Sequence, residues 1–189
     1  MNPSGKLPIT FPTSNTASPV GTPAQYPGVN LQIQFSEGLN VGYRGYEAFN
    51  IPPLFPFGFG LSYTNFEISK LVVTPKTSDG THPILVQFFV ENTGDRAGAE
   101  VPQVYVGLPS NLGEPPKRLV AFEKIWLNPG EKRKVQISID PKAATQPFSY
   151  WDSDAHAWKI GEGAYQFYVG NSSANIVEND AVRIRTLGH

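Results

Sequence analysis

From Phe66 onward the chain is a succession of short runs in which apolar and polar residues alternate, and no other feature narrows its fold as much. In residues 134–139, Val135, Ile137 and Ile139 fall on one face and Gln136 and Ser138 on the other. Tyr165, Phe167 and Val169 alternate with Gln166 and Tyr168, and Val182 and Ile184 with Arg183 and Arg185. A period of two belongs to half-buried strands. Runs at 66–74, 84–91, 101–108 and 119–126 bring the number to about seven in about 125 residues, the density of a two-sheet sandwich. Turn residues stand between them: Thr77-Ser78-Asp79-Gly80, Asn92-Thr93-Gly94-Asp95 and Asn128-Pro129-Gly130-Glu131 supply positive or preset φ where a chain must reverse. The 18 Gly and 18 Pro in 189 residues argue against long helices. The expected class is therefore mainly β, an immunoglobulin or fibronectin type III-like β-sandwich over residues 61–189.

Residues 1–60 are different material. They hold only Lys6, Glu37, Arg44 and Glu47 of the charged residues, together with nine prolines and eight glycines. Residues 13–28 are rich in Ser, Thr, Pro and Ala without periodicity, so an extended, loop-rich segment is expected. Its apolar pieces, 7–11 and 31–35, are each one strand long, too little for a core of their own. With 15 Lys+Arg against 16 Asp+Glu, charge gives no reason to expect nucleic acid or a membrane surface as partner. The absence of cysteine excludes disulfides, thiolate metal sites and a cysteine nucleophile. No apolar run approaches the roughly 18 residues of a spanning helix, and the opening MNPSGKLPIT lacks the order of a signal peptide, so no export signal is expected in this chain.

Several residues have the chemistry for a site, each beside a plainer role. Asp152, Asp154 and His156 are the densest titratable cluster and at period two can share a metal or a proton. The plainer alternative is a polar loop between Trp151 and Trp158, whose indoles pack on the sandwich. Glycoside chemistry needs two carboxylates, but Glu37, Glu47, Glu91, Glu100 and Glu123 each read as turn, edge or surface residues. Leu54-Phe55-Pro56-Phe57-Gly58-Phe59-Gly60-Leu61-Ser62-Tyr63 offers rings for sugar stacking, although close packing of a connector, with glycines passing near a neighbour, accounts for it better. Gly42-Tyr43-Arg44-Gly45-Tyr46 places a rare charge among aromatics, either as a pin between units or as the rim of a site. Asn171-Ser172-Ser173 makes Asn171 a glycosylation candidate if a eukaryotic secretory route applies. No metal or organic cofactor is expected.

In order along the chain, these strings resemble the C-terminal part of glycoside hydrolase family 3 β-glucosidases. Residues 2–12 look like the closing strand region of that family's α/β-sandwich domain, and residues 36–44 and 53–66 like its tail and the bridge to the next domain. Glu91-Asn92-Thr93-Gly94, residues 97–105, Pro116-Lys117-Arg118-Leu119, Phe122-Glu123-Lys124 and Pro129-Gly130-Glu131 resemble the family's fibronectin type III-like domain, as do Tyr150-Trp151-Asp152, Trp158 and residues 169–173.

The resemblance implies retaining hydrolysis of terminal non-reducing β-D-glucosyl units, with the nucleophile in a (β/α)8-type barrel and the acid/base in the second domain, both upstream of Asn2. It therefore carries no catalytic residue onto this chain. It also implies a secreted or periplasmic parent enzyme. Residues 1–60, cut from the sheet they complete, present an unpaired edge and want as partner an upstream chain or fragment carrying the barrel, with the oligosaccharide substrate bound through it. Tyr43, Arg44 and Tyr46 are the residues placed to reach the rim of such a site. A stand-alone carbohydrate- or plant-polymer-binding module and a purely structural brace are the other readings, the former requiring coplanar exposed aromatics.

Overall fold

The computed structural model describes residues 1–185, so the last four residues of the span 61–189 lie outside the described residues. Within it, alternation becomes two facing sheets. Strands β1 (Phe66–Thr74), β3 (Ile84–Asn92) and β8 (Lys132–Ile139) form an antiparallel sheet in the order β1-β3-β8. The other has the order β2-β12-β11-β5-β6, from β2 (Thr77–Ser78), β5 (Gln103–Gly107), β6 (Arg118–Phe122), β11 (Gly163–Gly170) and β12 (Ile176–Ile184). Two short pairs complete it: β4 (Gly98–Glu100) with β7 (Ile125–Leu127), and the hairpin of β9 (Ser149–Asp152) and β10 (Ala157–Ile160).

The core lies where the inward faces meet. Ile84, Val86, Phe88 and Val90 of β3 alternate with half-exposed neighbours and pack with Val135 and Ile139 of β8. From the opposite sheet come Val104 and Val106, Tyr165, Phe167 and Val169, and Val182 and Ile184. Phe148 fills the space between, edge-on to Tyr165 with ring centroids 6.1 Å apart. Burial pushes the Tyr165 phenol up to about 12, and its O–H donates to the carbonyls of Phe148 and Gly161.

Two local expectations change. The run 119–126 is two strands in different pairings, because β6 pairs with β5 while the chain breaks at Glu123 and Lys124 so that β7 can pair with β4. Thr77 and Ser78, read as turn, add a short parallel edge to β12.

Residues 1–60 do run as turns, with α1 (Tyr43–Ala48) the single helix among the described residues that is not a 3-10 turn. Residues 7–11 pair back onto 54–59: Leu7 N–H donates to Phe59 O and Gly58 N–H to Leu7 O at 2.8 Å each, and Phe11 N–H to Phe55 O at 2.8 Å. The segment thus folds back on itself through residues 7–11 and 54–59.

Candidate functional site

What the tail does locally is decided by a few close approaches. Gly58 sits at φ +81, a conformation side-chain-bearing residues rarely adopt, and its backbone passes within contact of the Gln103 amide of β5. The Gln103 amide donates to Gly58 O at 3.1 Å and to Asn171 O at 2.9 Å, and Ser173 N–H donates to Phe57 O. Phe57 and Phe59 are half-buried, as expected of a packed connector, whereas Leu54, Phe55 and Leu61 remain exposed.

Gly42, at φ +60, turns the chain into α1, and Gly45 lets that helix pack onto Pro19 and Asn40. The Tyr43 ring stacks on Phe57 at 4.8 Å and meets Tyr105 edge-on at 5.9 Å, while its phenol oxygen accepts the Leu119 N–H at 2.7 Å. Burial pushes the Tyr43 phenol up, partly opposed by that hydrogen bond. Tyr46 is buried and its phenol is likewise raised by desolvation. Arg44 differs: it is half-buried, forms no ion pair among the described residues and lines an open groove. The pin expected of it is supplied elsewhere. Lys117, 5% exposed, pairs with Glu47 across the faces of Tyr105 and Tyr168, and Lys6 pairs with buried Glu100 at 2.6 Å. Both pairs join the tail to the sandwich. Lys6, Glu100, Gln103 and Lys117 lie in the strings that resemble the family, but their pairing has no local signal beyond rarity, since Lys6 and Glu47 are two of four charges in sixty residues.

The groove beside Arg44 has a volume of about 560 Å³ between α1, the loop before β6 with the start of β6, and the β9–β10 hairpin. Trp151 and Trp158 are direct cross-strand partners, edge to face at 5.5 Å and 74°. They are 48% and 51% exposed, which corrects the expectation that both indoles pack on the sandwich. At that angle they form a corner, without the coplanarity a flat polymer platform requires. Arg118 joins Glu114 and donates to Ser149 O at 2.9 Å and Gln146 O at 3.2 Å on the groove floor.

The Asp152, Asp154 and His156 cluster takes its plainer role. Asp152 accepts the N–H groups of Asp154 and Ala155 and pairs with Lys159 at 2.6 Å, and Lys159 with these N–H groups holds its carboxyl below the usual range. His156 is exposed, and among the described residues no group of three His, Asp or Glu is arranged to hold a metal. Asn171 opens the β11–β12 turn with its side-chain oxygen accepting from Asn175 Nδ2 at 2.8 Å.

This arrangement recurs in known proteins. Residues 100–173 match the fibronectin type III-like domain family. The chain is 40% identical over 187 residues to thermostable beta-glucosidase B of Acetivibrio thermocellus, covering 98% of this chain and 24% of that relative. It superposes with TM-score 0.86 and 39% identity on DesR, a beta-glucosidase from Streptomyces venezuelae in complex with D-glucose, over 97% of this chain and 23% of that one. The chain is the C-terminal part of a glycoside hydrolase family 3 protein. The crystal structure of the Bifidobacterium adolescentis GH3 beta-glucosidase agrees, with TM-score 0.85 at 32% identity over 97% of this chain and 26% of that one. This family 3 chain spans about a quarter of the length of the relatives it matches. Its tail belongs to the shared fold, because the likeness extends well beyond residues 100–173.

Proposed function

We propose that this chain is the non-catalytic C-terminal portion of a family 3 β-glucosidase, completing and stabilising an enzyme whose two reacting carboxylates lie in an upstream portion. The observation that carries the reading is the two-sidedness of residues 1–60. One side is locked to the sandwich by Lys117–Glu47, Lys6–Glu100 and the Gln103 amide. Elsewhere residues 1–60 leave Leu31, Phe35 and Tyr26 at 106%, 80% and 74% exposure, apolar surface that a further portion of protein would cover. The carboxylates of Glu47, Glu100, Glu114, Asp152 and Asp180 are each taken up by a cation, which leaves them poor candidates for nucleophile or acid/base. The relatives named are beta-glucosidases; the reaction proposed with them is removal of terminal β-D-glucosyl units with retention, and the parent proposed is secreted or periplasmic. Tyr43 and Tyr46 then act as the anchor of the rim and Arg44 as its polar edge.

Aglycone release from an aryl β-glucoside tests this. The chain alone is expected to be inactive, and mixing it with the matching upstream portion is expected to give activity that the upstream portion alone lacks. Turnover by the chain alone would overturn the proposal.

A further inference from the structure

We propose that the groove between α1 and the β9–β10 hairpin binds a saccharide ring bearing a carboxylate, a uronosyl unit. Its volume of about 560 Å³ lies within the range of ligand pockets, about 300–1,000 Å³. Two walls are the half-exposed indoles of Trp151 and Trp158, set at 74° so that a ring stacked on one face meets the edge of the other. Cross-strand pairing explains why two tryptophans stabilise an isolated hairpin, but gives no partner to Arg44, the polar edge of the proposed rim. Arg44 is half-buried as a residue, without an ion pair among the described residues, and lines the same groove.

Charge selects the ligand. Glu114 and Arg118 neutralise each other on the floor, so the groove carries one positive charge, that of Arg44. A guanidinium fork matches a carboxylate with two parallel hydrogen bonds. A neutral sugar would leave it unpaired, a small inorganic anion would make no use of the indoles, and a polyanion would need more than one cation. The exposed hydroxyls of Thr145 and Ser153 on the rim suit the remaining sugar hydroxyls.

Two of the three tryptophans line the groove, so intrinsic fluorescence reads binding directly; Trp126→Phe removes the third. The full chain would be titrated with glucuronosyl-xylose and, separately, with uncharged xylobiose. A saturable change with the acidic disaccharide, at about tenfold higher affinity than the neutral one and weakening as salt rises, is expected. Arg44→Gln, at a residue that makes no structural ion pair, is expected to erase that tenfold preference. Absence of a saturable change with the acidic ligand, equal affinity for both, or a preference that survives Arg44→Gln would each overturn the proposal. The readout needs no catalytic group, so the β-glucosidase reading stands or falls separately.

Discussion

Asn92 shows how much one side chain holds together here. It is fully buried, and its Oδ1 accepts from Thr64 Oγ1 at 2.7 Å and Gly94 N–H at 3.2 Å. Its Nδ2 donates to Arg96 O at 2.7 Å and Leu127 O at 3.2 Å. The amide therefore ties the segment just before β1, the loop after β3 and the end of β7 into one junction. Truncation in Asn92→Ala strands several buried polar groups at once, and a loss of about 2–4 kcal/mol is expected from their desolvation. Urea unfolding would show it as a lower midpoint at unchanged slope; a change under about 1 kcal/mol would mean water replaces the amide. The sequence marks Asn92-Thr93-Gly94-Asp95 as a turn; Asn92 closes β3 and the chain bends at residues 94–96. The hub is illegible there, because Leu127 lies 35 residues away and no local pattern points to it. The same holds for Arg44: its rarity among aromatics is plain in the sequence, whereas the tryptophan corner facing it depends on a hairpin more than a hundred residues on.

At the scale of elements, long alternating strands were legible and short ones were not. Strand β1 occupies 66–74, as its pattern predicts, whereas β2, β4, β9 and β10 have two to four residues each, too few for any period to appear. Their existence is owed to neighbours: β4 forms because β7 leaves the β6 direction, and β9–β10 because Trp151 and Trp158 meet across it. A two-stranded hairpin is marginal by itself, so Trp158→Ala is expected to raise amide exchange in 149–160 by about tenfold while leaving the two main sheets protected. Equal exchange in the variant would show that the hairpin is held by something else. Strand β1 also contacts β12 across the sandwich edge, through Asp180. Its carboxylate accepts Val73 N–H at 2.8 Å and Ala181 N–H at 2.8 Å, and pairs with Lys76. Burial pulls its pKa up, but the Lys76 bond and the two N–H groups outweigh this and hold it below the ordinary range. A depressed folded pKa means the stabilisation is complete above the unfolded value of about 3.9 and disappears as pH falls through the folded one. Stability is thus expected to decline below about pH 4 in the wild type, and Asp180→Asn is expected to be less stable at pH 7 with a flatter acid limb. Identical acid limbs in melts from pH 7 to pH 2 would refute the assignment.

On the scale of the whole molecule, a core-forming sandwich carries a tail that cannot fold alone, and two ion pairs with one amide bridge decide where that tail lies. The sandwich owes its stability to the residues of its two inner faces, none of which comes from residues 1–60. Loss of the tail's attachment should therefore free the tail without melting the sandwich. Lys117 is the best place to separate them, because its ammonium is buried between Glu47 and the rings of Tyr105 and Tyr168. Replacing it in Lys117→Met keeps the stem's packing but leaves the Glu47 carboxylate unpaired. Removing one partner of a buried pair costs about 3–5 kcal/mol; the Glu47 side chain is 35% exposed and partly hydrated, so about 1–3 kcal/mol is the expected loss here. Chymotrypsin would then cut at exposed Phe35 and Phe49 several-fold faster than in the wild type, with the sandwich accumulating as an intact fragment. The second variant, Glu47→Gln, removes the charge left behind, and Lys117→Met with Glu47→Gln together should recover part of the loss, as coupled neighbours do. Additive losses would show that the two residues act apart. Core and tail vanishing at one rate would show that the tail is an integral part of the sandwich's cooperative unit.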